Sequence, residues 1–186
     1  MRIIGGEAKG RQLHFLSGSK ERPTSDFLRE ALFNLLGPLK DKIFLDLFSG
    51  SGSVGLEAAS RGVQEVCFVE KNKDLVTVIK RNIQTCCLDE ICNVIADDIE
   101  RALPWFSKKH CAFDIIFADP PYNRKLIRAT IALLNRYQIL KDGGLIVIQH
   151  SVKESFDEDM VNYIQLTDQR KYGENALTFL KWMERK

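Results

Sequence analysis

From residue 43 onward, short apolar runs alternate with stretches in which apolar residues recur every three or four positions. The runs at 43–48, 65–70, 92–96, 113–118 and 145–150 have the length and composition of buried strands. The intervening stretches, near 53–61, 72–85, 99–107 and 125–137, have helical periodicity. Because strands and helices alternate at this spacing, the pattern predicts an α/β fold, a doubly wound, mostly parallel, Rossmann-like sheet with helices on both faces.

Both ends of the chain depart from this alternation. Residues 163–170 and 176–182 flank a Tyr-Gly-Glu-Asn turn, which predicts an antiparallel C-terminal hairpin. At the other end, residues 2–4 and 12–15 predict a small β-hairpin, and an apolar stripe over 27–36 predicts a helix that ends at Gly37-Pro38. We therefore predict an N-terminal hairpin-helix extension over residues 1–40 and a core over residues 41–186.

The charge balance restricts the function only weakly. The 186 residues have the size of one domain, and the formal net charge of +2 is too small to indicate nucleic-acid binding by itself. Residues 1–29 carry six basic side chains against three acidic ones. This N-terminal excess fits a phosphate-binding face and fits a solvated surface equally well.

The cysteines and the hydropathy pattern indicate the compartment. Five cysteines, an odd number, in a chain without a secretory leader favour reduced thiols and a cytoplasmic protein. No apolar run approaches the roughly 18 residues that span a bilayer, so we expect no membrane segment. The histidines and cysteines lack the spacing of metal ligands, so we expect no metal site.

A glycine-rich segment ends the first predicted core strand. It runs from Asp46 to Gly55, and Gly50, Gly52 and Gly55 satisfy the G-x-G-x-x-G pattern that lets a ligand approach the main chain. Glu70 closes the next strand, where a carboxylate can bind ribose hydroxyls. A carboxylate just before the turn would repel a pyrophosphate and favour a cationic ligand. The segment therefore fits S-adenosylmethionine better than NAD.

A second segment, Asp119-Pro120-Pro121-Tyr122, follows the apolar run at 113–118. Tandem proline removes two backbone donors, so the strand must stop there. The loop that remains offers a carboxylate, proline carbonyls and an aromatic ring. Such a surface suits a flat ligand with an NH₂ group on its edge, such as a nucleobase. The alternative is a strand-terminating turn with a solvated aspartate.

These motifs, in this order, resemble those of class I S-adenosylmethionine-dependent methyltransferases that act on exocyclic amines. The N-terminal signature is similar to that of a narrower group, the RsmD-type bacterial 16S rRNA guanine-N2 methyltransferase family. The resemblance spans nearly the whole chain, including Tyr172-Gly173. The segments that carry the narrower resemblance are Met1-Arg2-Ile3-Ile4-Gly5-Gly6, Lys9-Gly10-Arg11, Arg22-Pro23-Thr24 and Arg29-Glu30-Ala31-Leu32-Phe33-Asn34.

The resemblance implies a methyl transfer from S-adenosylmethionine to the N2 amine of a guanine in 16S rRNA, within a small ribosomal subunit or its precursor. It implies that Gly50 and Gly52 pass beneath the cofactor and that Asp46 lies near its methionine amino group. Glu70 is expected at the ribose. The remaining cofactor residues implied are Phe48 in the same turn and, at the adenine ring, Asp98 and Ile99, with Asp97 as the alternative to Asp98.

The resemblance also implies roles on the substrate side. Asp119 and the Pro120 carbonyl would accept hydrogen bonds from the target NH₂, and Tyr122 would stack on the base beside Pro121. Four basic residues would contact rRNA phosphates: Lys9, Arg11, Arg22 and Arg29. For Arg22 and Arg29, pairing with acids in the helix layer is the alternative.

Three other functions remain open at the level of sequence. A DNA adenine-N6 methyltransferase uses a related loop, but a sequence-specific enzyme needs additional protein to read base edges. An NAD-linked oxidoreductase leaves Asp46 and the Asp-Pro-Pro-Tyr loop unexplained. A non-catalytic RNA-binding module leaves both halves of a transfer site unexplained.

Overall fold

We analysed a computed structural model of the chain, which describes residues 1–16, 25–121, 124–154 and 164–182. The chain forms two compact units, Met1–Asp98 and Ile99–Lys186. Residues 1–16 and 25–40 belong to the first unit, together with the strands that follow them. The predicted division at residue 40 stays a prediction.

The first unit contains three helices and three strands among its described residues. Its strands are parallel, in the order β3-β2-β1, so that β2 lies in the middle with Val66 and Phe68 fully buried. Parallel strands covered on both faces read as continuous apolar runs, which is why the sequence pattern located them. In chain order the elements are α1 (Asp26–Leu36), β1 (Ile43–Leu47), α2 (Ser53–Ser60), β2 (Glu65–Val69), α3 (Lys73–Cys86) and β3 (Cys92–Ile95).

Local chemistry fixes the ends of the helices in this unit. The Ser25 hydroxyl accepts a hydrogen bond from the Leu28 amide at the start of α1, and Gly37, at a φ of 69°, ends that helix. The Asn72 side chain caps α3 by accepting from the amides of Asp74 and Leu75. A side-chain acceptor satisfies amides that have no partner within the helix, so these caps set where each helix begins.

The N-terminal segment, residues 1–16, forms only a short antiparallel pairing within itself. Arg2 and Gln12 form a single antiparallel bridge, flanked by a hydrogen bond from the Ile3 amide to the Arg11 carbonyl. The predicted hairpin over 2–4 and 12–15 is therefore a bridge rather than two strands. At Gly6, whose φ is 76°, an added Cβ would lie 1.7 Å from the Ser60 carbonyl oxygen, so this segment packs against the C-terminal end of α2.

The second unit contains two helices and four strands among its described residues. The strand order is β4-β5-β7-β6, with β4 parallel to β5 and with β7 antiparallel to both β5 and β6. The predicted C-terminal hairpin is confirmed, and Gly173, at a φ of 60°, lies in its turn. The elements are α4 (Ile99–Lys108), β4 (Phe113–Ala118), α5 (Arg124–Tyr137), β5 (Leu140–Ser151), β6 (Ile164–Tyr172) and β7 (Asn175–Trp182).

Strand β5 is longer than the predicted run at 145–150. It begins at Leu140, and its register with β4 shifts between the pairs Phe113–Leu140 and Ile115–Leu145. Gly143, at a φ of 73°, lies in this irregular part, where the polar Lys-Asp-Gly-Gly sequence masks the strand signal. The predicted fold class is nevertheless confirmed, because strands alternate with helices, pair mostly in parallel and end in an antiparallel pair.

Candidate functional site

The glycine turn after β1 has an unusual backbone. Phe48, Gly50 and Gly52 have φ values of 60°, 56° and 78°, in the left-handed region. Glycine adopts this region readily, but a phenylalanine there is an outlier of the kind that clusters at ligand-binding loops. Hydrogen bonds hold the turn: the Ser49 hydroxyl donates to the Asp46 carbonyl, and the Gly52 amide donates to the Ser49 carbonyl.

Asp46 is the last but one residue of β1 and is almost fully buried, with 1% of its surface exposed. One carboxylate oxygen accepts a hydrogen bond of 2.9 Å from the Gly55 amide in the first turn of α2. The carboxylate therefore lies at the positive end of the helix dipole. Dinucleotide-binding enzymes place a pyrophosphate at this position, so here Asp46 already supplies the negative charge.

Glu70 directly follows β2 and carries the second buried carboxylate, with 8% of the residue exposed. Its two oxygens accept hydrogen bonds from the Gly50 amide at 2.9 Å and from the Asn72 amide at 2.8 Å. These bonds fix the orientation of the carboxylate and tie it to the glycine turn. The Glu70 carboxylate thus contacts the glycine turn, and the Asp46 carboxylate contacts the start of the helix that follows this turn. Both lie at the carboxyl ends of neighbouring parallel strands, where open α/β sheets bind ligands.

The two aspartates after β3 have different environments. The Asp97 carboxylate accepts a hydrogen bond from the backbone amide of Asp98, whereas the Asp98 carboxylate pairs with Lys71 at 3.2 Å. Which of the two lies at the adenine ring stays a prediction. Ile99 begins α4 in the second unit with a buried side chain, and its role at the adenine stays a prediction.

Asn82, on α3, is a residue of this site that the sequence reasoning missed. It is fully buried, and its carboxamide accepts from the His14 amide at 2.7 Å. The same carboxamide donates to the carbonyls of His14 and Ser51, both at 3.0 Å. Ser51 lies between the two glycines of the turn, so Asn82 links the N-terminal segment to that turn. The sequence feature that could have identified it is a polar residue, asparagine, within the apolar stripe between Ile79 and Ile83.

In the second unit, Asp119 directly follows β4 and is half-buried. One of its carboxylate oxygens accepts a hydrogen bond of 2.9 Å from the side-chain amide of Gln149, which lies on β5 and is 4% exposed. Pro120 is buried and Pro121 is exposed, while Tyr122 lies outside the described residues. Gln149 was missed as well, and its signal was a polar residue within an apolar strand.

Arg29 corrects one prediction. Its side chain is fully buried on α1, where it pairs with Asp26 at 3.1 Å and with Glu57 at 3.5 Å and donates to the Arg2 carbonyl. Burial lowers the pKa of this guanidinium, although both carboxylates act against the shift. A phosphate cannot reach a side chain with no exposed surface. The predicted rRNA contact of Arg29 is therefore wrong, and the alternative, pairing with acids, is confirmed.

Glu57 explains why a buried arginine is tolerated. This α2 residue is fully buried and accepts hydrogen bonds of 2.8 Å from the Ile4 amide, the Gly5 amide and the Arg61 guanidinium. A buried charge is costly unless it is paired and hydrogen-bonded. Arg29 is ion-paired and both terminal nitrogens of its guanidinium donate hydrogen bonds, whereas its buried Nε has no hydrogen-bond partner among the described residues. The arginine that resembled an RNA contact thus belongs to the network that holds the N-terminal segment on α2.

The other basic candidates differ in accessibility. Lys9 and Arg11 are exposed on the N-terminal segment, and neither forms an ion pair with any residue that the structure describes. Arg22 lies outside the described residues. Within the described part of the chain, no group of three or more His, Cys, Asp or Glu side chains could hold a metal ion. No described helix is long and apolar enough to span a membrane.

The fold and the strand-end residues define the class as Rossmann-like methyltransferases. The features are a doubly wound sheet, an aspartate at the end of β1 that accepts from an amide of α2, a glutamate after β2 on the glycine turn, and an Asp-Pro-Pro loop after β4. Residues 1–181 match the family model described as conserved hypothetical protein 95. The chain belongs to this family, the RsmD type.

The similarity to related proteins extends over most of the length of both chains. The ribosomal RNA small subunit methyltransferase D of Haemophilus influenzae is 38% identical over 152 residues, which is 80% of this chain and 78% of that protein. The protein of the same name from Escherichia coli K12 is 34% identical over 164 residues, 88% and 81% of the two chains. A solved structure from Thermus thermophilus has a TM-score of 0.83 at 36% identity and covers 96% of this chain and 98% of its own.

Proposed function

We propose that this chain transfers a methyl group from S-adenosylmethionine to the exocyclic N2 amine of a guanine in 16S rRNA. The observation that carries the proposal is the Asp119 carboxylate, which the Gln149 amide orients at the end of β4 immediately before a buried proline. A fixed acceptor in this loop suits an NH₂ donor. The relatives named ribosomal RNA small subunit methyltransferase D supply the class of nucleic acid.

The first unit has the groups that S-adenosylmethionine needs. The Gly55 and Gly50 amides are occupied by the carboxylates of Asp46 and Glu70, so the turn has little to offer an anion and suits a ligand that carries positive charge. Asp46 would attract the amino group, and Glu70 would bind the ribose hydroxyls. The other residues proposed to hold the cofactor are Phe48, Gly50, Gly52, Asp98 and Ile99. When bound, the cofactor supplies an electrophilic methyl group.

The loop that begins with Asp119, Pro120 and Pro121, called the acceptor loop below, can make the target amine a better nucleophile. The lone pair of an exocyclic guanine amine is delocalised into the ring, so the nitrogen is a poor nucleophile. The Asp119 carboxylate and the Pro120 carbonyl would accept its two hydrogens and favour a more pyramidal nitrogen. Positioning of bound reactants can lower a barrier by on the order of 7–11 kcal/mol at best. Asp119 would also stabilise the positive charge that develops on nitrogen, as a preorganised electrostatic partner does.

The reaction releases one proton from the methylated nitrogen, and Asp119 is the residue proposed to accept it. The base must leave its stack to reach the loop. Stacking on an aromatic ring recovers roughly 1–3 kcal/mol per base, and Tyr122 is the residue proposed to provide it. Pro121, exposed beside Pro120, would line the same surface.

The proposed partner is 16S rRNA within a small ribosomal subunit or its precursor, in the cytoplasm. Lys9 and Arg11 would bind its phosphates, because both are exposed on a segment that Asn82 and Glu57 hold in place. Arg22 is proposed for the same role. An NAD-linked oxidoreductase is disfavoured because Asp46 caps α2 where a pyrophosphate would bind.

The test measures methyl transfer from radiolabelled S-adenosylmethionine by the wild-type chain and by Asp119→Asn. The substrates are naked 16S rRNA, small-subunit particles from cells that lack the gene, and naked DNA. We expect label in rRNA or in the particles but not in DNA, and a loss of roughly 100-fold or more in kcat for Asp119→Asn. Asp142→Asn, an exposed substitution on β5, is the matched control. Labelled DNA alone, or near wild-type turnover by Asp119→Asn, would contradict the proposal.

A further inference from the structure

Gln149 is a buried side-chain amide that reaches a residue of the acceptor loop. It is 4% exposed and lies on β5, directly after the apolar residues Ile146, Val147 and Ile148. Placing an amide in such an environment costs free energy unless its polar atoms are hydrogen-bonded. Here one N–H donates to the Asp119 carboxylate at 2.9 Å.

The register of the sheet brings these two side chains together. Strands β4 and β5 are parallel, and Ala118 is paired with Ile148. Asp119 and Gln149 each lie one residue further along, and side chains alternate between the faces of a sheet. Both side chains therefore leave the sheet on the same side and at the same level. The hydrogen bond follows from the strand pairing and does not depend on the loop alone.

We propose that Gln149 is a positioning residue that holds the Asp119 carboxylate in the orientation that receives the target amine. This inference rests on the proposed function, and it adds a residue that does not itself contact the base. A carboxylate turns about its terminal bond unless another group fixes it. A donor on one oxygen fixes that rotation and leaves the carboxylate with a defined direction in which it can accept further hydrogen bonds.

The charged neighbours on the adjoining strands have other partners. Asp114 and Lys141 pair with each other at 2.8 Å, at the opposite end of β4. His150 is next to Gln149, but its ring nitrogens lie 2.8 Å from the Ser151 carbonyl and 2.8 Å from the Thr178 hydroxyl. Of the remaining charged residues on β4, β5 and β7, Asp142 and Lys181 are exposed. The Gln149 amide, in contrast, donates to the Asp119 carboxylate.

Two variants separate positioning from packing. Gln149→Leu keeps the size and removes the donor, whereas Gln149→Glu keeps the shape and places a second carboxylate beside Asp119. Gln169→Leu on β6 is the control, because its amide donates to Thr178 instead. For each protein, kcat and KM for the rRNA substrate, the Kd for S-adenosylhomocysteine and the pH dependence of kcat/KM are measured. Thermal unfolding shows whether each variant is folded.

For Gln149→Leu we expect kcat to fall roughly 10- to 100-fold, with the Kd for S-adenosylhomocysteine within twofold of wild type. For Gln149→Glu we expect the acid limb of the pH profile to move up by about one pH unit or more, because like charges disfavour ionisation. If both variants keep the wild-type kcat and profile while the wild-type chain methylates rRNA, the positioning role is wrong. If the wild-type chain methylates no rRNA, the proposed function itself fails, and the role of Gln149 fails with it.

Discussion

Replacement of Glu70 by glutamine tests the cofactor side of the site with the smallest change of shape. In the structure both carboxylate oxygens accept hydrogen bonds, at 2.9 Å from the Gly50 amide and at 2.8 Å from the Asn72 amide. Glutamine keeps one acceptor oxygen but turns an NH₂ group toward the other partner, which is itself a donor. The substitution therefore disturbs the glycine turn and weakens the carboxylate proposed to bind the ribose.

The magnitude follows from the number of bonds affected. A hydrogen bond to a charged group contributes about 1.5–3 kcal/mol, and the loss of one such bond to the ligand corresponds to roughly 10- to 100-fold weaker binding. We expect this increase in the Kd for S-adenosylhomocysteine, measured by titration calorimetry. The assay is run well below the melting temperature of each protein, so that an unfolded fraction does not contribute.

Glu65→Gln is the matched control for this experiment. Glu65 begins the same strand, at the end away from the glycine turn, and its carboxylate accepts from the Asn93 side chain. We expect its Kd to stay within twofold of wild type. If Glu70→Gln also binds S-adenosylhomocysteine with wild-type affinity, the proposed ribose contact is refuted, whatever happens to stability.

Two further predictions concern stability and RNA binding. Burial lowers the pKa of His150 from its usual 6.5, so the folded protein binds this proton less tightly than the unfolded chain does. As the pH falls below about 6.5, the free energy of unfolding should decrease by up to ~1.4 kcal/mol more per pH unit in the wild type than in His150→Gln, as measured by urea unfolding. Equal decreases in both proteins would show that His150 is not the cause. Lys9→Glu combined with Arg11→Glu should weaken rRNA binding and reduce the slope of log K against log salt by roughly 1.5–2. Lys108→Glu with Lys109→Glu, at the last residue of α4 and in the turn directly after it, is the control. Equal slopes for the two double variants would mean that the N-terminal segment makes no phosphate contact.

The sequence predicted those elements whose apolar pattern is uninterrupted. The buried strands β1, β2 and β4 and the stripe of Leu75, Val76, Ile79 and Ile83 on α3 all lie where the pattern placed them. Strand β5 was shortened because Lys141, Asp142 and two glycines occupy its irregular first part. The pattern records burial, and Lys141, Asp142 and Gly143 in this part of the strand are partly or fully exposed.

Candidate site residues could be proposed where their chemistry is visible in the local sequence. Asp46 lies next to the last residue of β1, and Glu70 and Asp119 directly follow β2 and β4, so a carboxylate at each strand end is visible in the sequence. Asn82 and Gln149 act through contacts with residues 68 and 30 positions away in the chain, which no local pattern reports.

The predicted rRNA contact of Arg29 was wrong for a related reason. The basic charge of the N-terminal residues suggested that Arg29 binds phosphate. Its side chain instead pairs with Glu57, which lies 28 positions further along the chain and on a different helix. Sequence shows that an arginine is present but not which acid it meets. The same uncertainty does not apply to Lys9 and Arg11, whose side chains are exposed.

The central claim is the methylation of a guanine in 16S rRNA, and one measurement tests it most directly. Ribosomal RNA is isolated from cells that lack the gene and from the same cells carrying either the wild-type gene or Asp119→Asn. Nucleoside mass spectrometry and primer extension then identify and locate the modification. The account predicts that one N2-methylguanosine in 16S rRNA is absent without the gene, returns with the wild type and does not return with Asp119→Asn. Unchanged N2-methylguanosine in 16S rRNA without the gene, or its return with Asp119→Asn, would contradict the account.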